Sequence, residues 1–270
     1  MSGRNRRRRL VLAAAWVCVL AGVAGCAAVA RPEAHQTASV VEFLYPDARG
    51  AAAPTGTPTL TLPLRVGIAF VPGSAAASQS LNEARRMEVM REVARRFAPY
   101  PFVQSIEAIP SEYLRPRGGF DNLDQLRALY GIDLVALVSY DQVQFTHRGL
   151  LSLTYWTIVG AYAIPGERND TQTMIDTVVM DIGSRQMLFR APGTSRVKRQ
   201  STFVNASEQL GADSADGFDG AARQMIDNLE RELEAFRRRV DEHPDRYRIV
   251  RTPEFERRLG GTADTRVGAP

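Results

Sequence analysis

Ile132-Asp-Leu-Val-Ala-Leu-Val-Ser-Tyr140 is a nearly continuous apolar run rich in strand-forming residues. A half-exposed strand alternates apolar and polar side chains, whereas a run this uniform reads as a strand buried on both faces. The rest of the chain must therefore supply a sheet around it and cover for both sides. Leu64-Arg-Val-Gly-Ile-Ala-Phe-Val71 reads as a neighbouring strand, and Val103 to Ile109 as another, closed by Pro110. Between them Ser80-Leu-Asn-Glu83 has the form of a capping box. It opens a helix with Met87, Met90, Val93 and Phe97 on one face, ended by Pro99 and Pro101. Arg115-Pro-Arg-Gly-Gly119 reads as a loop. Asp121 or Asn122 then caps a short helix carrying Leu123, Leu126 and Leu129, stopped by Gly131.

Downstream, Gln142 to Phe145, Leu150 to Ala163 and Thr171 to Ile182 are β-rich. Their connectors, His147-Arg-Gly149 and Pro165 to Asp170, are turn chemistry and predict antiparallel pairing. Asp181-Ile-Gly-Ser-Arg185 predicts a tight turn into a strand through Met187, Leu188 and Phe189. Phe218, Ala222, Met225, Leu229, Leu233, Phe236 and Val240 recur at three- and four-residue steps, one face of a long amphipathic helix. The same spacing suits a coiled coil, but the strands need a cover, so packing on the sheet is preferred. The expected fold is α/β. It is a single domain over 62–243 with a mixed, partly antiparallel sheet covered by helices, including a long C-terminal one.

The first 25 residues have a different character. Arg4 and Arg6 to Arg9 form a basic start without acids, and the uncharged apolar run Leu10 to Val23 follows. That order is the signature of an export signal, and the run is short for a transmembrane helix. It ends in Val23-Ala24-Gly25-Cys26, which resembles the lipobox of bacterial lipoproteins. The resemblance implies cleavage between Gly25 and Cys26 and acylation of Cys26, palmitate being the usual amine-linked chain. Ala27, rather than Asp, follows the cysteine, which by the same resemblance favours the periplasmic face of the outer membrane over the inner membrane. The arginine run permits either the general or the twin-arginine export route.

Composition acquires a different meaning after that cleavage. The formal charge is +4, but five arginines precede Cys26, so the mature chain carries 4 − 5 = −1. The basic pI belongs to the removed segment, and nucleic-acid binding loses its support. Cys18 leaves with the signal, so the folded part has no disulfide. Residues 26–61 are rich in Ala, Pro, Thr and Gly and read as a flexible tether. Within it the apolar segment 39–46 either docks on the domain or serves as a partner-binding peptide. Residues 244–270 read as a loose polar tail.

The β-α-β-α-β order followed by antiparallel strands and a closing helix resembles the anticodon-binding-like domain of periplasmic lipoproteins. These include the curli-secretion lipoprotein and lipoprotein activators of penicillin-binding proteins. The matching features are the Val66-to-Val71 strand, the Gly131-to-Val138 unit and the Asp181-to-Phe189 hairpin. A further resemblance spans most of the mature chain. Val41-Glu-Phe-Leu-Tyr-Pro46, Tyr113-Leu-Arg-Pro116, Gly119-Phe-Asp-Asn-Leu-Asp-Gln125, Val138 to Phe145, Tyr155 to Tyr162 and Phe189 to Val197 look like the rhombotarget lipoprotein family. That family is associated with rhombosortase, a rhomboid-type intramembrane protease thought to process proteins bearing a C-terminal Gly-Gly signal. Gly260-Gly261 matches that signal in position, but the residues after it include no apolar helix and no basic cluster. The pair is either a processing site or a flexible step in a polar tail.

Catalytic chemistry is thinly supported. The three histidines, His35, His147 and His243, show no zinc-ligand spacing, and Ser139, Asp141 and His147 lack a nucleophile elbow. Neither a catalytic residue, a metal site nor a cofactor is expected. Tyr113, Arg115, Arg117 and Phe120 combine aromatics with guanidinium groups and form a candidate partner surface, or else a solvated loop. Arg190 to Arg199 reads similarly. The expected function is a non-enzymatic, membrane-anchored accessory domain or processing target of a rhombosortase-type system. Its partners are the lipid bilayer and a rhomboid-type protease or envelope protein. The alternatives are an enzyme acting on envelope polymers and a subunit of an outer-membrane assembly.

Overall fold

A computed structural model describes residues 31–37, 39–46, 56–73, 82–148, 167–201 and 206–264. The chain enters through strand β1 (Arg31–Thr37) and a short helix α1 (Val40–Leu44). Strands β2 (Thr59–Leu62) and β3 (Leu64–Phe70) lead to helix α2 (Glu83–Phe97) and strand β4 (Val103–Ala108). A 3-10 turn (Ser111–Tyr113) precedes helix α3 (Gly119–Tyr130). Three long strands follow, β5 (Leu134–Arg148), β6 (Glu167–Asp181) and β7 (Gln186–Ser201). The helix α4 (Ala206–Glu242), strand β8 (Arg248–Arg251) and helix α5 (Pro253–Asp264) complete the chain.

The main sheet has the order β4-β3-β5-β6-β7. Strand β3 pairs in parallel with β4 and with the first part of β5, whereas β5, β6 and β7 are antiparallel. The mixed α/β architecture expected from sequence is the one observed. Strand β5 outruns β3, which stops opposite Val138. From Asp141 onward β5 pairs on that side with β1 instead.

Side-chain alternation on β5 divides the core. Leu134, Ala136, Val138 and Tyr140 join Met90, Phe97, Phe218, Met225 and Phe236 beneath α2 and α4. Val135 and Leu137 face the other way, among Phe43, Leu44, Leu123 and Leu126 of α1 and α3. The central strand is thus buried on both faces, as its composition demands. Long helix α4 lies on β6 and β7, so its apolar stripe is a sheet-facing stripe and not a coiled-coil seam. Arg96 of α2 clamps Glu230 of α4 with two contacts of 2.6 and 2.8 Å. The pair is surface-exposed and sets register more than stability.

Several local expectations need correction. The residues of the expected tether include β1, α1 and β2, so the domain begins well before residue 62. Segment 39–46 docks on its own domain, the first of its two readings, with Phe43 only 2 % exposed. Asn82, rather than Ser80, caps α2, accepting from Ala84 N at 3.0 Å; Ser80 lies outside the described residues. Helix α3 starts earlier than expected, so neither Asp121 nor Asn122 is its cap. Asn122 instead accepts from Arg115 N at 2.8 Å and donates to the Tyr113 carbonyl at 3.2 Å, stapling the preceding loop. Leu129 points away from the core and is exposed. Gly131 does end α3, at φ 64, a left-handed conformation that costs glycine little.

Gln142 to Phe145 is not a separate stretch but part of β5, and Arg190 to Arg199 is strand rather than loop. The stretch Leu150 to Ala163 lies outside the described residues. The expected turn at Asp181 is present, with its carboxylate accepting from Gly183 N at 3.3 Å and Ser184 N at 3.1 Å. The tail is not loose over Arg248 to Asp264. Strand β8 pairs in parallel with β2, and Phe255 of α5 is buried. A partner strand contributed by the first part of the chain turns a four-residue segment into structure.

Candidate functional site

The residues singled out from sequence are dispersed by the fold. Tyr113 is half exposed and lies edge-on to Tyr130 at 5.7 Å. The Arg115 side chain reaches Gln125 Oε1 at 3.1 Å. Arg117 donates to the Pro46 carbonyl, holding the end of α1. Phe120 is 6 % exposed, packed edge-on to Tyr45 at 5.5 Å with the Arg185 guanidinium 5.1 Å above its ring. Phe120 therefore belongs to the core rather than to an exposed surface. Arg117 and Phe120 fasten α1 to α3, while Tyr113 and Arg115 lie against α3 alone.

Cationic strand β7 behaves in the same way. Arg190 meets both carboxylate oxygens of Asp176 at 2.8 and 2.7 Å, and Arg196 pairs with Asp170. Each is a cross-strand pair between neighbours on β6 and β7. Ser139 donates to the Asp176 carbonyl at 3.3 Å. His147 lies on the same strand eight residues further, roughly 26 Å along it at ~3.3 Å per residue. The three residues Ser139, Asp141 and His147 thus form no triad. Among the described residues no group of three His, Cys, Asp or Glu could hold a metal ion, and no helix is long and apolar enough to cross a membrane. Cys26 and Gly25 lie outside the described residues, while Gly260 and Gly261 fall in α5.

Sequence reasoning missed two features. One is a buried polar cluster where α4 crosses the middle of β5 and β6. Gln142 donates to Thr173 Oγ1 at 2.7 Å and to the Ser214 carbonyl at 3.1 Å, and accepts from Ser214 Oγ at 2.6 Å. Burial pushes the neighbouring Tyr140 hydroxyl well above its ordinary range. These contacts tie α4 to β5 and β6 and lock the helix register.

The other feature is an apolar cleft where the C-terminal half of α4 meets β2, β8 and α5. An apolar pocket of about 90 Å³ adjoins it, bounded by Ile68, Val93, Leu134 and Val179 among others. Leu60, Leu64, Phe102, Leu233 and Phe236 line both this pocket and the wider cleft of about 810 Å³. Val240, Tyr247, Ile249 and Phe255 widen the apolar wall, and Arg237, Asp241 and Arg251 stand on it as the charged groups. Two of the walls come from β8 and α5, the segment that composition alone marks as loose. Aromatic and aliphatic walls with few charges suit apolar side chains and offer no acid–base pair.

No family model matches the chain, and no curated protein matches its sequence.

Proposed function

We propose that the chain is a lipid-anchored, non-catalytic binding domain held at the periplasmic face of a bacterial outer membrane through Cys26. The observation that carries this reading is Val23-Ala24-Gly25-Cys26, placed directly after a basic start and an uncharged apolar run. Each acyl chain contributes ~0.8 kcal/mol per buried CH₂, so several chains make attachment lasting. The resemblance to rhombotarget lipoproteins sets the domain beside a rhomboid-type protease, as accessory or as target. Helical backbone at Gly260 and Gly261 favours the accessory role.

Binding is assigned to the cleft between α4 and the β2–β8 pair, whose occupant is an apolar or aromatic anchor of an envelope protein. Its aromatic walls beside Arg237 and Arg251 have the composition of interface hot spots.

Two measurements check these parts. Wild-type protein is expected to stay with membranes through salt and carbonate washes, whereas Cys26→Ser is expected in the soluble envelope fraction. A Cys26→Ser protein that resists the same washes contradicts the anchor. For the cleft, the probe is 1-anilinonaphthalene-8-sulfonate, an apolar ring system with one anionic group. Native mature protein is expected to enhance its fluorescence, and Val240→Glu to weaken binding about tenfold, or ~1.4 kcal/mol. Equal binding by both proteins, with their thermal unfolding unchanged, rules the cleft out as the site.

A further inference from the structure

We infer that the domain stands on the bilayer by the far end of its long strands, with the apolar cleft held at the opposite end, away from the lipid. This rests on the anchor reading above and adds an orientation to it. Strand β1 begins at Arg31, only five residues after Cys26. At most ~3.6 Å per residue, that link spans no more than about 18 Å. Arg31 pairs with Thr146, two residues from the end of β5. The same register brings Arg148 opposite Glu167 and Glu167 opposite Ser201. An acylated Cys26 therefore keeps the ends of β5 and β7 and the beginning of β6 close to the membrane surface.

The occupant of that end is a lipid surface, because the five-residue link from an acylated Cys26 to Arg31 is too short to let this end leave the bilayer. At the rim the last four positions of each strand hold Arg31, Arg148, Arg168, Lys198 and Arg199 against Glu33, Glu167 and Asp170. The strand ends thus lean basic in a mature chain of charge −1, although Glu208 opens α4 nearby. Anionic headgroups complement such a rim.

The other end of the sheet lies at Leu134, fourteen residues back along β5 and roughly 46 Å away at ~3.3 Å per residue. Leu64, Val103 and Leu188 are at this end, and with them the cleft, β8 and α5. The cleft then opens where an envelope partner reaches it without touching the bilayer. Gly260 and Gly261 are likewise carried away from any protease that works within the membrane.

Orientation is read by energy transfer to acceptor-labelled lipids in vesicles containing anionic phospholipid. The full acylated protein has no free thiol, since Cys18 departs with the signal and Cys26 is modified. Ser201→Cys and Ile249→Cys therefore each provide one labelling position, at the near and far ends. The result expected is loss of most donor emission at 201 and its retention at 249. Equal transfer from both positions, or a reversed order, in protein whose mass shows the acyl chains overturns the orientation alone. Protein that lacks the acyl mass overturns the anchor reading and the orientation with it.

Discussion

Replacing Gly193 with valine is expected to abolish cooperative unfolding of the domain or to lower its stability by more than ~3 kcal/mol, the usual ceiling for an overpacked core. Gly193 lies on β7 where α4 crosses closest. A Cβ there would lie 2.5 Å from Met225 N and 2.7 Å from Met225 Cβ, and closer still to the Ala221 carbonyl oxygen. Two of these are backbone atoms of a long helix and the third is a Cβ fixed to it, so none can swing aside as the end of a flexible side chain would. Relief requires lifting α4 from the sheet and losing contacts of Met225, Phe218 and Leu229 together. The comparison that isolates the cause is Gly211→Ala in the same helix. Nothing lies within reach of a Cβ at Gly211, so this change is expected to stabilise by ~0.5–1 kcal/mol through backbone entropy. Thermal unfolding of the two variants should diverge in sign. A Gly193→Val protein with wild-type Tm would show that α4 does not sit on β7.

Phe218→Ala is expected to cost about 3–5 kcal/mol, the range for a buried aromatic truncated in a packed core. At ~2–4 °C per kcal/mol for a domain of this size, Tm should fall by roughly 6–20 °C. Phe218 is 1 % exposed, with ring centroids 5.6 Å from Tyr140 and 6.3 Å from Phe70. It is where the start of the α4 stripe meets β3 and β5, so the space left by truncation would have walls from three elements. A loss below ~1 kcal/mol in denaturant unfolding would mean that the helix slides to fill the space, against the register set by Gln142 and Ser214.

How much of this was legible in the sequence varies element by element. Strand β5 and helix α4 announced themselves because their apolar patterns are long and match what the fold buries, both faces of β5 over Leu134 to Tyr140 and one face of α4. Strand β1, Arg-Pro-Glu-Ala-His-Gln-Thr, gave no such signal. It is polar and contains Pro32, which the edge tolerates at a register shift between Pro32 and Ala34. It is a strand because β5 extends past β3 and leaves backbone groups to pair, a tertiary cause invisible in seven residues. Strand β8 has the same explanation, with β2 as its template. The candidate site was less legible still. Phe120 and Arg117 look like recognition residues by type, yet their partners, Tyr45 and Pro46, come from a segment some seventy residues earlier. The cleft is assembled from β2, α4, β8 and α5, and no local pattern reports such a convergence.

The central claim is the lipid on Cys26, and intact-protein mass spectrometry of the membrane-extracted product tests it most directly. The account predicts a chain that begins at Cys26, carries acyl mass and retains Pro270 whether or not a rhomboid-type protease is present. A product that keeps Met1, or one that begins at or near Cys26 without added mass, would contradict it.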